Sequence, residues 1–316
     1  MNLYHVTIFG LHLTINPIAF TLDFSLFGWH INRDIYWYGI IIATGFLLAV
    51  VYASIFAKRF NIVFDKILDV VLVTAPVSIL CARTYYVIFS GVEIKSFRDF
   101  LGLGSNSGIS GLAIYGGVIG AAVCGALMCR IKKINPLDAL DLASIGFLIG
   151  QGIGRWGNFM NQEAFGSFTG SSFWGMQSEE TVSYMGGEGL VHPCFLYESI
   201  WCILGFAIIH FLSKKRKFSG QIALYYCVWY GFGRAIIELL RTDSLMIDKI
   251  RVSCLLSVLI CVGAAVALAV INSRIKQKEN NAEYKNVFEV GEENSEAELT
   301  EATAEEFGGD DNEQDT

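Results

Sequence analysis

Residues 137–166 read LDALDLASIGFLIGQGIGRWGNFMNQEAFG. The run 137–156 has the length and apolar content of a membrane-spanning helix, which needs about 20 residues. It ends in a segment holding Arg155, Asn158, Asn161, Gln162 and Glu163, with Gly152, Gly154 and Gly157 set among them. Polar and ionisable groups at membrane depth are costly, so such a segment marks a site by default. The glycines allow close approach of a ligand or another helix and a tight exit from the span.

Working outward, six more stretches have the length and hydropathy of spans: 35–57, 67–90, 112–130, 195–213, 221–240 and 252–273. The chain of 316 residues is 53% hydrophobic and only 17% charged, with a mean hydropathy of +0.47. This composition is that of a membrane protein rather than a soluble domain. The fold expected is an all-α bundle of seven transmembrane helices. An arm over 1–34 precedes it and lies along the membrane interface, and a long loop over 158–194 follows the fourth span. Residues 1–34 lack the basic segment that opens a signal peptide.

Charge divides the chain. Residues 279–316 hold 14 acidic residues and one lysine, whereas the preceding 278 residues carry 22 Lys and Arg against 16 Asp and Glu. The segment 275–316 therefore reads as a disordered acidic tail appended to a basic membrane domain over 35–274. Lys58, Arg59, Lys66, Arg130, Lys132, Lys133, the run 214–217, Arg274, Lys276 and Lys278 fall on one side of the bundle. Arg33, Lys95, Arg98, Arg155, Arg241, Lys249 and Arg251 fall on the other. The excess of positive charge assigns the first side to the cytoplasm. The N-terminus and the 158–194 loop are then outside, and the tail is inside. Eight cysteines show no CxxC spacing and mostly lie in apolar runs, which argues against a disulfide scaffold and a zinc site.

Other ionisable residues fall within spans: Arg83, Asp141, Glu198, and Arg234, Glu238 and Arg241 in GFGRAIIELLR. Arg234 and Glu238 share a helix face at i and i+4, with Arg241 a turn further. Each could be an internal ion pair that fixes helix packing. Together, Arg155, Arg234 and Arg241 gather at the outer side, where guanidinium forks suit the phosphate of an anionic lipid headgroup. Gly116 and Gly120 in the third span read first as a helix–helix contact.

GRWGNFMNQEAFG (154–166) resembles the signature of the prolipoprotein diacylglyceryl transferase family. IYWYGIII, ARTYYVIF, YGGVIGA, HPCFLYE and YGFGRAIIELLR follow in that family's order, so the likeness covers roughly residues 30–272. It implies transfer of the diacylglyceryl group of phosphatidylglycerol to the lipobox cysteine of prolipoprotein signal peptides in the bacterial cell membrane. A thioether forms and glycerol phosphate leaves. Arg155 and Arg234 match the family's two phosphate-binding arginines, and Asn158, Glu163 and Gly166 match the rest of the signature. Tyr38, His192, Glu238 and Arg241 match further positions, and Gly116 lies in the matching YGGVIGA.

Many members of that family carry a histidine where this chain has Tyr115, proposed as the base for the thiol proton. Tyr115 could act as a phenolate, it could hydrogen-bond the headgroup, or the proton could leave to another group. A tyrosine of ordinary pKa near 10 is a poor base at neutral pH, which favours the second. No cofactor or metal is expected, because arginines neutralise a leaving phosphate unaided. The partners implied are membrane lipid and preprotein, not nucleic acid. Access for two lipid-sized groups calls for a lateral opening, with Arg155 and Arg234 within reach of one headgroup. The competing class is a transporter or lipid-binding protein with an arginine-lined anion site. Such folds commonly show internal duplication, which is not evident here. An intramembrane hydrolase would need a GxSxG or HExxH motif, and the chain has neither.

Overall fold

In the computed structural model, residues 3–26, 29–91, 96, 100, 111–242, 246–247 and 250–307 are described. Lys95, Arg98 and Lys249, used above for orientation, lie outside them. The chain divides into two compact units, Met1–Ala264 and Ala265–Thr316.

The first unit opens with strands. Strand β1 (Tyr4–Ile8) pairs antiparallel with β2 (Leu11–Ile15), Tyr4 opposite Ile15 and Ile8 opposite Leu11. The two-residue turn uses left-handed backbone at Phe9 (φ 49°) and Gly10 (φ 77°), the sign that matches hairpin twist. A second hairpin joins β3 (Ile18–Leu26) to β4 (Trp29–Tyr36), which runs directly into the first helix. The chain is mostly helical, in keeping with the all-α expectation, and these strands precede its helices. Alternation of Tyr4, Val6 and Ile8 with His5 and Thr7 has the period of a strand.

Seven long helices follow: α1 (Trp37–Phe56), α2 (Phe64–Ser90), α3 (Ile114–Ile131), α4 (Pro136–Met160), α6 (Cys194–Leu212), α7 (Gln221–Leu240) and α8 (Val252–Phe307). A short α5 (Glu179–Met185) lies in the loop before α6. Six helices among the described residues are long and apolar enough to cross a membrane, and α7 is not one of them. Its 20 residues include Arg234, Glu238, five aromatics and two glycines, which dilute its hydropathy. The backbone of 275–307, part of the segment read above as a disordered acidic tail, is helical as the continuation of α8. That segment is rich in Ala and Glu, both good helix formers.

Helix α4 is the hub, half buried where the other candidate spans are a third buried or less. Pro136 occupies its first turn, and the Asn135 side chain accepts a hydrogen bond from the Leu137 amide at 3.0 Å, capping it. Small residues bring the helices close. A Cβ at Gly45 of α1 would meet the Gly150 backbone of α4 at 3.3 Å, and one at Gly116 of α3 would meet Tyr85 Cβ of α2 at 2.4 Å. Gly116 is thus an α2–α3 contact residue. Without hydrophobic drive between helices in lipid, such close approach is a main source of association.

Two of the in-span charges have structural partners. Arg83 Nε and Nη1 donate to the carbonyls of Phe100 and Gly111 at 2.7 and 2.9 Å. Asp141 is fully buried and pairs with Arg216 at 2.8 Å, while accepting from the amides of Gly220 and Ala223 at 2.9 and 2.8 Å. Those amides are the first turn of α7, so the carboxylate satisfies orphan donors and complements the helix dipole. Asp141→Ala is expected to lower stability by about 3 kcal/mol, as breaking a buried pair does. The check is a thermal melt in detergent, and an unchanged Tm contradicts this role.

Candidate active site

Three elements meet at the C-terminal end of α4. The first is the last two turns of α4, bearing Arg155 and Asn158. The second is the start of α6, bearing Glu198, and the third is the end of α7, bearing Arg234, Glu238 and Arg241. Glu198, only 2% exposed, is their common point. Its Oε2 pairs with Arg155 Nη2 at 2.6 Å, and its Oε1 pairs with Arg234 Nη1 at 2.6 Å and Arg241 Nη1 at 3.2 Å. Arg234 Nη2 also pairs with Glu238 Oε2 at 2.7 Å, the i, i+4 partner read from the sequence. Arg155 and Arg234 therefore share one carboxylate and lie well within reach of one headgroup.

Three guanidiniums thus gather around two carboxylates, and their forked N–H donors suit the oxygens of a phosphodiester. Glu198 was seen in the sequence as an ionisable residue in a span but not as a site residue. Its role comes from residues 36 and 43 positions away, which no local pattern shows.

A polar chain leads outward from Arg155. Arg155 Nη1 donates to Asn158 Oδ1 at 3.3 Å, and Asn158 Nδ2 donates to Glu163 Oε1 at 2.8 Å. Asn158 thereby orients Arg155 and links it to an exposed carboxylate. Tyr38 of α1 covers Gly157, where a Cβ would meet its ring at 2.8 Å. Tyr38, Arg155 and Asn158 together line one end of a cavity of about 510 Å³. The cavity continues past Phe46, Gly150 and Gly146 to Ala139, along α1 and α4. Sixteen residues of α4 make that path about 24 Å long at 1.5 Å per residue. A cavity polar at one end and apolar along its length has the shape of a lipid.

Other expected residues have different surroundings. Gly166 is a close-approach residue: a Cβ there would meet the Leu240 carbonyl at 2.7 Å. Its amide donates to the His192 carbonyl at 2.8 Å, and its backbone bridges to Arg241, tying the 158–194 loop to the end of α7. The His192 ring is 3.2 Å from the Tyr197 hydroxyl, which accepts from Trp174 Nε1 at 2.7 Å. The histidine is thus held within the network of that loop. Tyr115 on α3 is 46% exposed, with its ring 6.5 Å from that of Tyr85. Among the described residues it makes no hydrogen bond to the three arginines.

The fold and site define a polytopic membrane protein built around a buried arginine–carboxylate cluster at the mouth of a lipid-shaped cavity. Comparison with known proteins sharpens that class. The family model described as prolipoprotein diacylglyceryl transferase matches residues 26–270, and the chain belongs to that family. Proteins named phosphatidylglycerol–prolipoprotein diacylglyceryl transferase resemble it over most of their length. That of Streptococcus sanguinis is 44% identical over 261 residues, covering 80% of this chain and 95% of the relative. That of Pediococcus pentosaceus is 42% identical, covering 79% and 88%, and that of Clostridium novyi 40% identical, covering 84% and 98%.

The geometry gives Glu198 more to hold than Glu163. Glu198→Gln, which leaves three arginines without their shared charge, is expected to cost about 3 kcal/mol or more. Glu163→Gln, at the exposed end of the chain, should cost about 1 kcal/mol. Thermal melts of both variants test the ranking, and equal shifts in Tm contradict it.

Proposed function

We propose that this chain is a phosphatidylglycerol–prolipoprotein diacylglyceryl transferase that holds the lipid phosphate on Arg155 and Arg234. The observation that carries the reading is the convergence of both arginines on Glu198 beside the cavity lined by Tyr38 and Asn158. The relatives' names support the activity, and nothing in the comparisons favours a transporter.

In the proposed reaction the thiolate of the preprotein cysteine attacks the diacylglyceryl carbon that carries the phosphate ester. A C–S bond forms as the C–O bond breaks, and the electron pair leaves on the phosphate oxygen. The thiol proton is gained, overall, by glycerol phosphate. A free thiol with pKa near 8.5 is mostly protonated at neutral pH, so the positive field of the cluster assists its ionisation. Arg155 and Arg234 stabilise the charge that develops on the leaving phosphate. Glu238 orients Arg234, and Asn158 and Glu163 orient Arg155. Arg241 completes the positive set, while Gly166 and His192 hold the outer loop against it. Tyr115, half exposed and without a hydrogen bond to the three arginines among the described residues, is given no part in proton transfer.

The same reading takes α7 as a seventh crossing, since its 20 residues suffice to span and it pairs α6 with α8. The basic bias then sets the N-terminus and the arginine site at the outer face, the site's substrates being phosphatidylglycerol and the lipobox segment. The organisation into an outer N-terminal arm (1–34), a catalytic bundle (35–274) and an acidic cytoplasmic tail (275–316) belongs to this proposal.

The test uses membranes containing the protein, phosphatidylglycerol and a lipobox peptide. Mass spectrometry should find one diacylglyceryl unit on the peptide cysteine and none on a cysteine-to-serine peptide. Arg155→Ala should slow the reaction at least about 100-fold, the scale of losing one charge-stabilising donor. Adduct formation at the wild-type rate by that variant overturns the assignment. Tyr115→Phe should keep most activity, and a loss on the order of 100-fold, the size that general-base catalysis supplies, contradicts the place given to Tyr115.

A further inference from the structure

The arginines of the site come from helices that flank α6 on both sides, and Glu198 can meet them only if three helices keep one relative height. We propose that Ser199 and the tryptophan pair Trp201–Trp229 are positioning residues that set this height. The inference rests on the reading of the cluster as a phosphate site.

Toward α4, Ser199 is buried and its hydroxyl donates to the Gly152 carbonyl at 2.7 Å while accepting from Trp156 Nε1 at 3.2 Å. A Cβ at Gly152 would meet Ile203 and Cys202 side chains at 3.3 and 3.4 Å, so the bond depends on close helix approach. Gly152 lies one turn before Arg155, and Ser199 lies next to Glu198. The hydroxyl thus fixes the height of Arg155 against Oε2.

Toward α7 the contact is reciprocal. Trp201 Nε1 donates to the Trp229 carbonyl and Trp229 Nε1 donates to the Trp201 carbonyl, each at 3.0 Å. The rings stack with centroids 4.3 Å apart at 15°. Each helix carries the same spacing, WCILG over 201–205 and WYGFG over 229–233. Each indole lies over the partner helix's glycine, where a Cβ would fall 2.1 Å (Gly233) or 2.3 Å (Gly205) from an indole nitrogen. Trp201 is one turn from Glu198, and Gly233 precedes Arg234. A slip of one residue moves a helix by about 1.5 Å along its axis. Such a slip breaks both bonds and drives the indole edges into ordinary side chains, whereas a greasy contact would tolerate it.

These residues hold Arg155 and Arg234 in the geometry of the phosphate without touching substrate. Their loss therefore falls on the handling of phosphatidylglycerol. Trp201→Phe, Trp229→Phe and Ser199→Ala should each raise KM for phosphatidylglycerol about tenfold and leave KM for the lipobox peptide unchanged. The assay is the mass-spectrometric transfer reaction with each substrate varied in turn, on protein whose Tm is measured in parallel. Ser199→Ala removes a single hydroxyl and serves should a tryptophan variant not fold. Variants with unchanged KM for both substrates and only a smaller folded fraction overturn the positioning role. A wild-type protein that forms no adduct overturns the transfer reading and this proposal with it. An active wild type with unaltered variants sinks this proposal alone.

Discussion

A single carboxylate, Glu198, governs the site because it is buried and shared by guanidiniums from two other helical elements. At membrane depth none of those charges is tolerable alone. The arginines bring α4 and α7 to α6, and the carboxylate lets three positive groups stand close together. Guanidinium forks gathered in this way suit the oxygens of a phosphate, and the proposed chemistry uses them as the phosphate leaves.

The rest of the bundle follows from holding that point in place. Lipid offers no hydrophobic drive between helices, so the helices are keyed by glycines at close contacts and by polar groups with defined partners. Gly45 and Gly116 serve the first purpose, at α1–α4 and α2–α3. Asp141 serves the second at the opposite end of α4, seating the first turn of α7 at the end of that helix away from Arg234. Tyr52 does similar work, its hydroxyl 2.9 Å from His210 Nδ1 between α1 and α6. The cavity along α1 and α4 is the space left where small residues face each other and no side chain fills the gap.

Much of this was legible in the sequence. Apolar runs placed the long helices within a few residues, and Arg155, Arg234 and Glu238 stood out because charge in a span is rare. The i, i+4 pairing of Arg234 with Glu238 needed only helical geometry. Glu198 as a hub was not legible, since its partners come from distant segments and depend on which helices become neighbours. Gly116 and Gly166 matched a family pattern, but their surroundings are packing contacts rather than open backbone. The N-terminal strands are less legible, because the alternation of Tyr4–Ile15 around Phe9–Gly10 is embedded in an apolar stretch that leads into a membrane span. The helical backbone beyond 275 was masked by net charge, which speaks to solvation rather than to local propensity.

The most direct measurement of the central claim is a structure of the protein with phosphatidylglycerol bound in a lipid nanodisc. The account predicts phosphate oxygens within hydrogen-bond distance of both Arg155 and Arg234, with one acyl chain in the cavity between α1 and α4. A headgroup bound elsewhere, with the two arginines still closed on Glu198, contradicts it.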